Sequence, residues 1–587
     1  MTHYLNGRVI KMKILGVHDG HNASTCLLEN GKIIMVMEEE RITRLKNFSG
    51  FPKKAIEHIL STNNIGLEDI DYVALNGMHM SIPADRERTK QQYRESSSLK
   101  GDSIKFVKKS PLYWLYKQKR KRERLLELQK IGIPEKKVTF IDHHLAHASA
   151  AYFGSPWWKK EDVLVLTNDG AGDNICASIN IGKNGVLERI SSIHEDESVA
   201  WYYGMVTFVM GMVPLEHEYK IMGLAPYAPE DGKQIVFKKF NNLMKFQGSD
   251  SLEWKRNPGV PPAAYSYDFV RDLTEVMRFD WIAAGLQAWV EHYAVEWVRR
   301  CIRKTGIHKL ALSGGFFMNV KVNQEIAKIS EVTDIFIFPS CGDESNSIGA
   351  AFALYAEKCK EIDKEINLDP LGPIYFGTDI KESDVETSIS KIKNVVITRY
   401  ENIDKQVGKL LAEGNIVARC KGKMEFGARA LGNRSILADP SDSKVVKIIN
   451  DMIKNRDFWM PFAPTILKER SHDYIINPKE INAPYMLMGF DSNKQNHQQF
   501  IAAIHPSDLT ARPQILEKEW NLDYYTVIKE FEKITGRGVI LNTSFNLHGY
   551  PIVWRPQDAL YVFENSGLEY LALDNILIEK EKTKNAQ

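Results

Sequence analysis

Three histidines, His143, His144 and His147, fall within five positions of the stretch "IDHHLAHASAAYF". On a helix, positions four apart share a face, so His143 and His147 can present two imidazoles to one ion while His144 points away. Two imidazoles are an incomplete metal site, and histidines that pack or cap a helix end would look the same. The remaining ligands must be acidic and come from elsewhere in the chain. Asp169 in "TNDGAG" and Asp343 in "CGDES" each follow an apolar strand pattern, which sets carboxylates at strand ends. The plainer alternatives are an Asx turn at Asp169 and a helix cap at Asp343. Taken together, the two histidines and two aspartates form a mixed nitrogen and oxygen set suited to Fe2+, Mn2+ or Zn2+.

The elements that must position these residues come in a weak internal repeat. "KILGVHDGHNASTCLLENGKIIMVMEEER" reads as strand, Gly turn, strand, Asn30-Gly31 hairpin, strand. "DVLVLTNDGAGDNICASINIGKNGVLERISSI" returns to the same order around Asn184-Gly185. A duplicated unit of hairpin strands followed by helices is the pattern of the actin, sugar kinase and Hsp70 (ribonuclease-H-like) superfamily, which holds nucleotide between its halves. "KLALSGGFFMNVKVNQEIA" adds a strand, a Ser313-Gly314-Gly315 turn and a helix. Glycines let backbone amides approach phosphate and the helix start adds partial positive charge, so Gly314 and Gly315 are candidates for nucleotide contact, with a plain tight turn as the alternative.

Bulk properties set limits on function. A chain of 587 residues exceeds a single core, so two or more domains are expected. A net charge of +2 gives no global pull toward nucleic acid or an acidic membrane. The longest apolar run, around "GMVTFVMGMVPL", is too short to span a bilayer, and the N-terminus lacks an apolar signal core. Six scattered cysteines without a CxxC pair suit buried thiols in a reducing compartment. The expectation is a soluble, cytoplasmic protein whose first regular pattern begins at Met12, with residues 1–11 readable either as native sequence or as an extension.

Nine motifs in order, "GHNAS", "EEERITRLK", "DHHLAHA", "NDGAGD", "EYKIMGLAPYA", "SGGFFMN", "GDESNSIGAA", "ARALGNRSILADP" and "LNTSFN", resemble the O-carbamoyltransferase family over nearly the whole chain. The resemblance implies an α/β protein: an N-terminal domain at residues 12–360 similar to the tRNA threonylcarbamoyl transferase, and a C-terminal domain at 395–587 similar to the threonylcarbamoyl-adenylate synthase. The charged, Pro- and Gly-marked stretch 361–394 reads as a linker. The implied reaction forms carbamoyl-adenylate from carbamoyl phosphate and ATP, with Mg2+, and passes the carbamoyl group to a hydroxyl of a small-molecule natural product. Fe2+ is the favoured ion.

Within that reaction, "KGKMEFGARALGNRS" and "IKNRDFWMPFAP" offer Arg429, Arg434, Lys454 and Arg456 for anionic phosphates, unless they form a solvated basic face. Ser544 and Asn546 in "LNTSFN" match the planar carbamoyl group, which accepts at its oxygen and donates from its amide. Lys46 adds charge near the carbamoyl phosphate route. Met460 stands where many relatives carry arginine. An alcohol is a poor nucleophile and needs a base, for which His21 is the candidate and His18 its local competitor. Lys220 and Asn319 are expected to contact nucleotide.

One local charge anomaly keeps a rival open. "KFVKKSPLYWLYKQKRKRERLLELQK", around residues 105–130, could grip tRNA in a threonylcarbamoylation-type enzyme, but basic charge interleaved with Leu, Trp and Tyr also suits an amphipathic insertion, a homodimer face or a lid. A non-catalytic nucleotide-binding scaffold of the actin type needs no histidine set and is the third reading.

Overall fold

The computed structural model describes residues 12–80, 86–95, 110, 112–454 and 456–581. Residues 1–11, which the sequence leaves open as native or extension, and residues 105–109 and 111 of the basic stretch lie outside the described residues.

The first sheet contains β1 (Lys13–His18), β2 (Ser24–Glu29), β3 (Lys32–Glu38), β4 (Tyr72–Asn76) and β5 (Val138–Ile141), in the order β3-β2-β1-β4-β5. The second contains β6 (Val163–Gly172), β7 (Ile175–Lys183) and β8 (Val186–His194). After a small hairpin of β9 (Met244–Phe246) and β10 (Trp254–Arg256), it adds β11 (Lys309–Ser313) and β12 (Asp334–Ile337), in the order β12-β11-β6-β7-β8. Read from the opposite edge, the two orders are the same. β1 runs antiparallel to β2 and parallel to β4, as β6 does to β7 and β11. The repeat is therefore a duplication, and it builds the actin-like architecture expected from the sequence. Asn30-Gly31 and Asn184-Gly185 all take positive φ, the conformation that two-residue hairpins require.

Helices His143–Gly154 and Asn346–Glu361 follow the last strand of each copy and pack against one another. Gly349 permits the contact, since a Cβ there would sit 1.9 Å from the Ala146 carbonyl oxygen. This crossing brings Asp343, just ahead of one helix, to the first turn of the other.

The basic helix Leu112–Lys130 belongs to an insertion between β4 and β5. It is anchored inward: the buried Arg124 guanidinium meets both carboxylate oxygens of Asp19 at 2.7 Å and donates to the Gly77 carbonyl at 2.6 Å.

The C-terminal part is built on an eight-stranded mixed sheet, with Val417–Cys420, Arg434–Ala438, Val539–Ser544 and Ala463–Leu467 among its strands. Its separation from the first domain is less clean than the linker reading supposed. Leu368 and Ile374 are buried in the N-terminal core, Phe376 accepts from the Val36 amide at 3.2 Å, and residues 382–389 form a helix against Pro556–Glu564. Apolar side chains of Tyr485–Met488 also join the N-terminal core, and Asn323 donates to the Leu487 carbonyl at 2.7 Å. Burial of a few apolar side chains, Leu368, Ile374 and Val385, ties the otherwise largely exposed stretch 361–394 to both parts. All six cysteines are free and buried. Among the described residues no helix is long and apolar enough to cross a membrane.

Candidate functional site

The helix His143–Gly154 starts at Asp142, whose side chain caps it by accepting from the Leu145 amide at 2.8 Å. Its first turn places His143 and His147 toward Asp169, in the last third of β6, and Asp343 at the end of the second sheet. His143 Nε2 lies 3.2 Å from Asp169 Oδ2 and 3.4 Å from Asp343 Oδ1; His147 Nε2 lies 3.4 Å from Asp343 Oδ1. One atom from each of the four residues falls within 4.8 Å of all the others, so the group could hold a metal ion. Burial opposes charge here, yet the facing carboxylates of Asp343 and Asp169 push His143 up to about 9, and the imidazoles hold Asp343 well below the usual carboxylate range. His147 is oriented by Ser313 at its Nδ1, 3.2 Å away. His144 faces elsewhere, bonded to Thr167 and the Ile175 carbonyl, and burial drops it to about 3.

The Gly turn has a different task from the one expected. Gly314, at φ 107°, packs against Asn168 and donates to the Cys341 carbonyl, and the Gly315 amide donates to Asp169 Oδ1 at 2.9 Å. Both amides are taken up by hydrogen bonds inside the protein, and one of them orients the Asp169 carboxylate. Gly315 still forms cavity wall, as does Asn319, which caps Val320–Lys328 and pairs with Gln287.

His21 lines the same cavity. Burial lowers its pKa against the pull of Asp343, leaving a neutral imidazole able to take a proton. His18 is fully buried and absent from the cavity wall.

Across the cavity stands a basic wall. Lys454 donates to Ser544 Oγ at 3.2 Å and Asn546 Oδ1 at 2.8 Å, which assembles three of the expected residues. Burial and the nearby Arg456 depress Lys454, and the same two causes lower Arg429 to about 10. The buried Nε of Arg429 has no hydrogen-bond partner among the described residues. Arg512, in "LTARPQIL", completes the wall, and its pKa falls through burial and the charges of Arg429 and Arg456. Sequence reading missed Arg512 because it stands alone between short strands, outside any basic run. Crowded cations with an unpartnered guanidinium nitrogen call for an anionic ligand.

Two expected contacts lie elsewhere. Arg434 is fully buried and donates to the carbonyls of Trp554, Lys421, Gly422 and Asn433, so it braces the loops behind the wall. Lys220 is off the cavity and pairs with Asp457 at 2.9 Å across the contact between the two parts. Lys46 lines the cavity, 3.4 Å from Glu216.

The histidine and aspartate cluster and the basic wall open into one cavity of about 780 Å3. Fold and site together define a two-part α/β protein with a cleft lined by residues of both parts. A family model of the carbamoyltransferase N-terminus matches residues 13–352, and one of the carbamoyltransferase C-terminus matches 408–580. The chain belongs to the carbamoyltransferase family. It is 31% identical to an uncharacterized protein of Methanocaldococcus jannaschii, over 97% of this chain and 100% of that protein. Nodulation protein NolNO of Sinorhizobium fredii is 28% identical over 95% of this chain and 79% of its own length. Nodulation protein U of the same species is 22% identical over 92% and 94%.

Proposed function

We propose that the chain is an O-carbamoyltransferase that makes its own activated donor. At the basic wall, carbamoyl phosphate, ATP and water give carbamoyl-adenylate, phosphate and pyrophosphate. At the histidine wall, a hydroxyl of a small molecule attacks the carbamoyl carbon and AMP leaves. The observation that carries this reading is the shared cavity: Arg429 and Lys454 line the same cleft as His21, so a labile adenylate formed at one wall would need to travel only across that cleft.

Arg429, Arg456 and Arg512 would neutralise phosphate oxygens, while Ser544 and Asn546, already oriented by Lys454, would hold the carbamoyl group. His21 would accept the acceptor hydroxyl proton as the new C–O bond forms. His143, His147, Asp169 and Asp343 would hold Fe2+, Mn2+ or Zn2+, and when bound the ion supplies Lewis-acid stabilisation of the leaving phosphate. The tRNA reading is weakened because Arg124 and Arg120 of the basic helix bind Asp19 and the Met80 carbonyl.

The test compares carbamoyl phosphate with threonine plus bicarbonate as the substrate that drives pyrophosphate exchange from ATP. Exchange with carbamoyl phosphate is expected; exchange with threonine and bicarbonate alone would replace this reading with the tRNA one. A screen of candidate alcohols with labelled carbamoyl phosphate then identifies the acceptor.

A further inference from the structure

Asn346 stands three residues after Asp343, at the start of the helix Asn346–Glu361. The step between them, Asp343–Ser345, is a single 3-10 turn, in which side chains three apart lie one above the other. The terminal amide of Asn346 consequently reaches the histidine and aspartate cluster. Its Nδ2 lies 3.0 Å from His147 Nε2 and 3.4 Å from Asp343 Oδ1. Both atoms face into the four-residue group, since His147 turns Nδ1 to Ser313 and Nε2 to the carboxylates of Asp169 and Asp343.

The other end of the amide is left over. The Asn346 side chain is fully buried, and its Oδ1 has no hydrogen-bond partner among the described residues. A buried carbonyl oxygen without a donor is costly, so such an atom calls for an explanation. The Nε2 of a neutral imidazole has one lone pair, so His147 cannot accept from the amide and bind an ion at the same time. A half turn of the amide exchanges its two ends and brings Oδ1 to the side of His147 Nε2 and Asp343 Oδ1. There an amide oxygen, a carboxylate oxygen and an imidazole lone pair converge, an arrangement that a divalent cation among them turns from unfavourable to favourable.

Resting on the proposed metal site, we infer that Asn346 is a fifth donor to that ion, through its carbonyl oxygen, and that it sets which ion the site prefers. Two imidazoles, two carboxylates and one amide oxygen exceed the four donors of the usual Zn2+ site, whereas Mn2+ and Fe2+ accept larger, oxygen-rich sets. Asn346 therefore favours Mn2+ or Fe2+ over Zn2+.

The test uses the full chain, stripped of metal and titrated with Mn2+ or Zn2+ against a chelating indicator, so that affinity is read without turnover. Asn346→Ala should weaken Mn2+ by about tenfold or more and Zn2+ by no more than about threefold. Asn346→Asp, which keeps an oxygen in place and adds charge, should hold Mn2+ at or above wild-type affinity. Thermal midpoints without metal check folding. Should Asn346→Ala unfold, the Asp variant decides: a ratio of Mn2+ to Zn2+ affinity equal to or above that of wild type supports the inference, and a lower ratio overturns it. Equal weakening of both ions in Asn346→Ala marks a residue that only orients His147 and overturns the inference, as does unchanged binding of Mn2+. A wild-type chain that binds neither ion overturns the four-residue site and this inference with it, whereas wild-type binding with indifferent Asn346 variants overturns the role of Asn346 alone.

Discussion

The Nε2 of His18 is 2.9 Å from the carbonyl oxygen of His21, so the first histidine holds the backbone of the second while only the second reaches the cavity. Asn76 Nδ2 donates to His18 Nδ1 at 2.9 Å, which fixes the tautomer with the proton on Nε2. His18 is buried against the loop, and His21 is the half-buried histidine that lines the cavity. Of the two candidates, His21 alone meets the cavity, which makes it the base to test first.

His21→Asn should therefore keep acceptor-independent formation of carbamoyl-adenylate and lose acceptor carbamoylation by about a hundredfold or more, the contribution of a positioned general base. Adenylate formation, acceptor turnover and thermal midpoint are measured on one preparation. Near-normal turnover in a folded variant would refute the role.

His147→Ala should remove one nitrogen from the four-residue cluster and with it most of the bound metal, from about one equivalent per chain. Elemental analysis after metal loading reads this directly. Full occupancy in the variant would sink the ligand assignment whatever happened to activity.

Arg429→Ala takes away the guanidinium whose Nε has no partner among the described residues. Carbamoyl phosphate-dependent pyrophosphate exchange should fall by about a hundredfold or more. Added carbamoyl-adenylate should still serve the histidine wall. A folded variant unable to use the added adenylate would contradict the division of labour.

Glu218 offers a pH test of the cavity rim. Burial raises its carboxyl to about 7, against an ordinary value of 4.5, although the Leu215 amide donates to it at 2.7 Å. Between those values the folded chain binds a proton that the unfolded chain lacks, so this residue's contribution to stability declines as pH rises from 4.5 to 7 and stays low above it. Glu218→Gln should remove that decline. Its thermal midpoint relative to wild type should climb between about pH 5 and pH 8. A constant difference across that range would rule out the raised carboxyl.

The sequence by itself determined the duplicated strand pattern, the i, i+4 histidine pair and the strand-end aspartates, because each depends on local periodicity or spacing. It also marked Lys454, Ser544 and Asn546, which the fold brings into mutual contact. Tertiary structure alone decided what depends on which way a group faces. Arg429 and Arg434 sit five apart in one motif, yet one reaches the cavity and the other is consumed by four backbone carbonyls. Lys220 meets Asp457, more than two hundred residues away, and Arg512 joins Arg429 and Arg456 only through sheet packing. The turn at Gly314 and Gly315 could serve phosphate or a carboxylate by its local form, and Asp169, brought close by the pairing of β6 with β11, took the amide. Such partners are chosen by long-range pairing and burial, which no local window of residues contains.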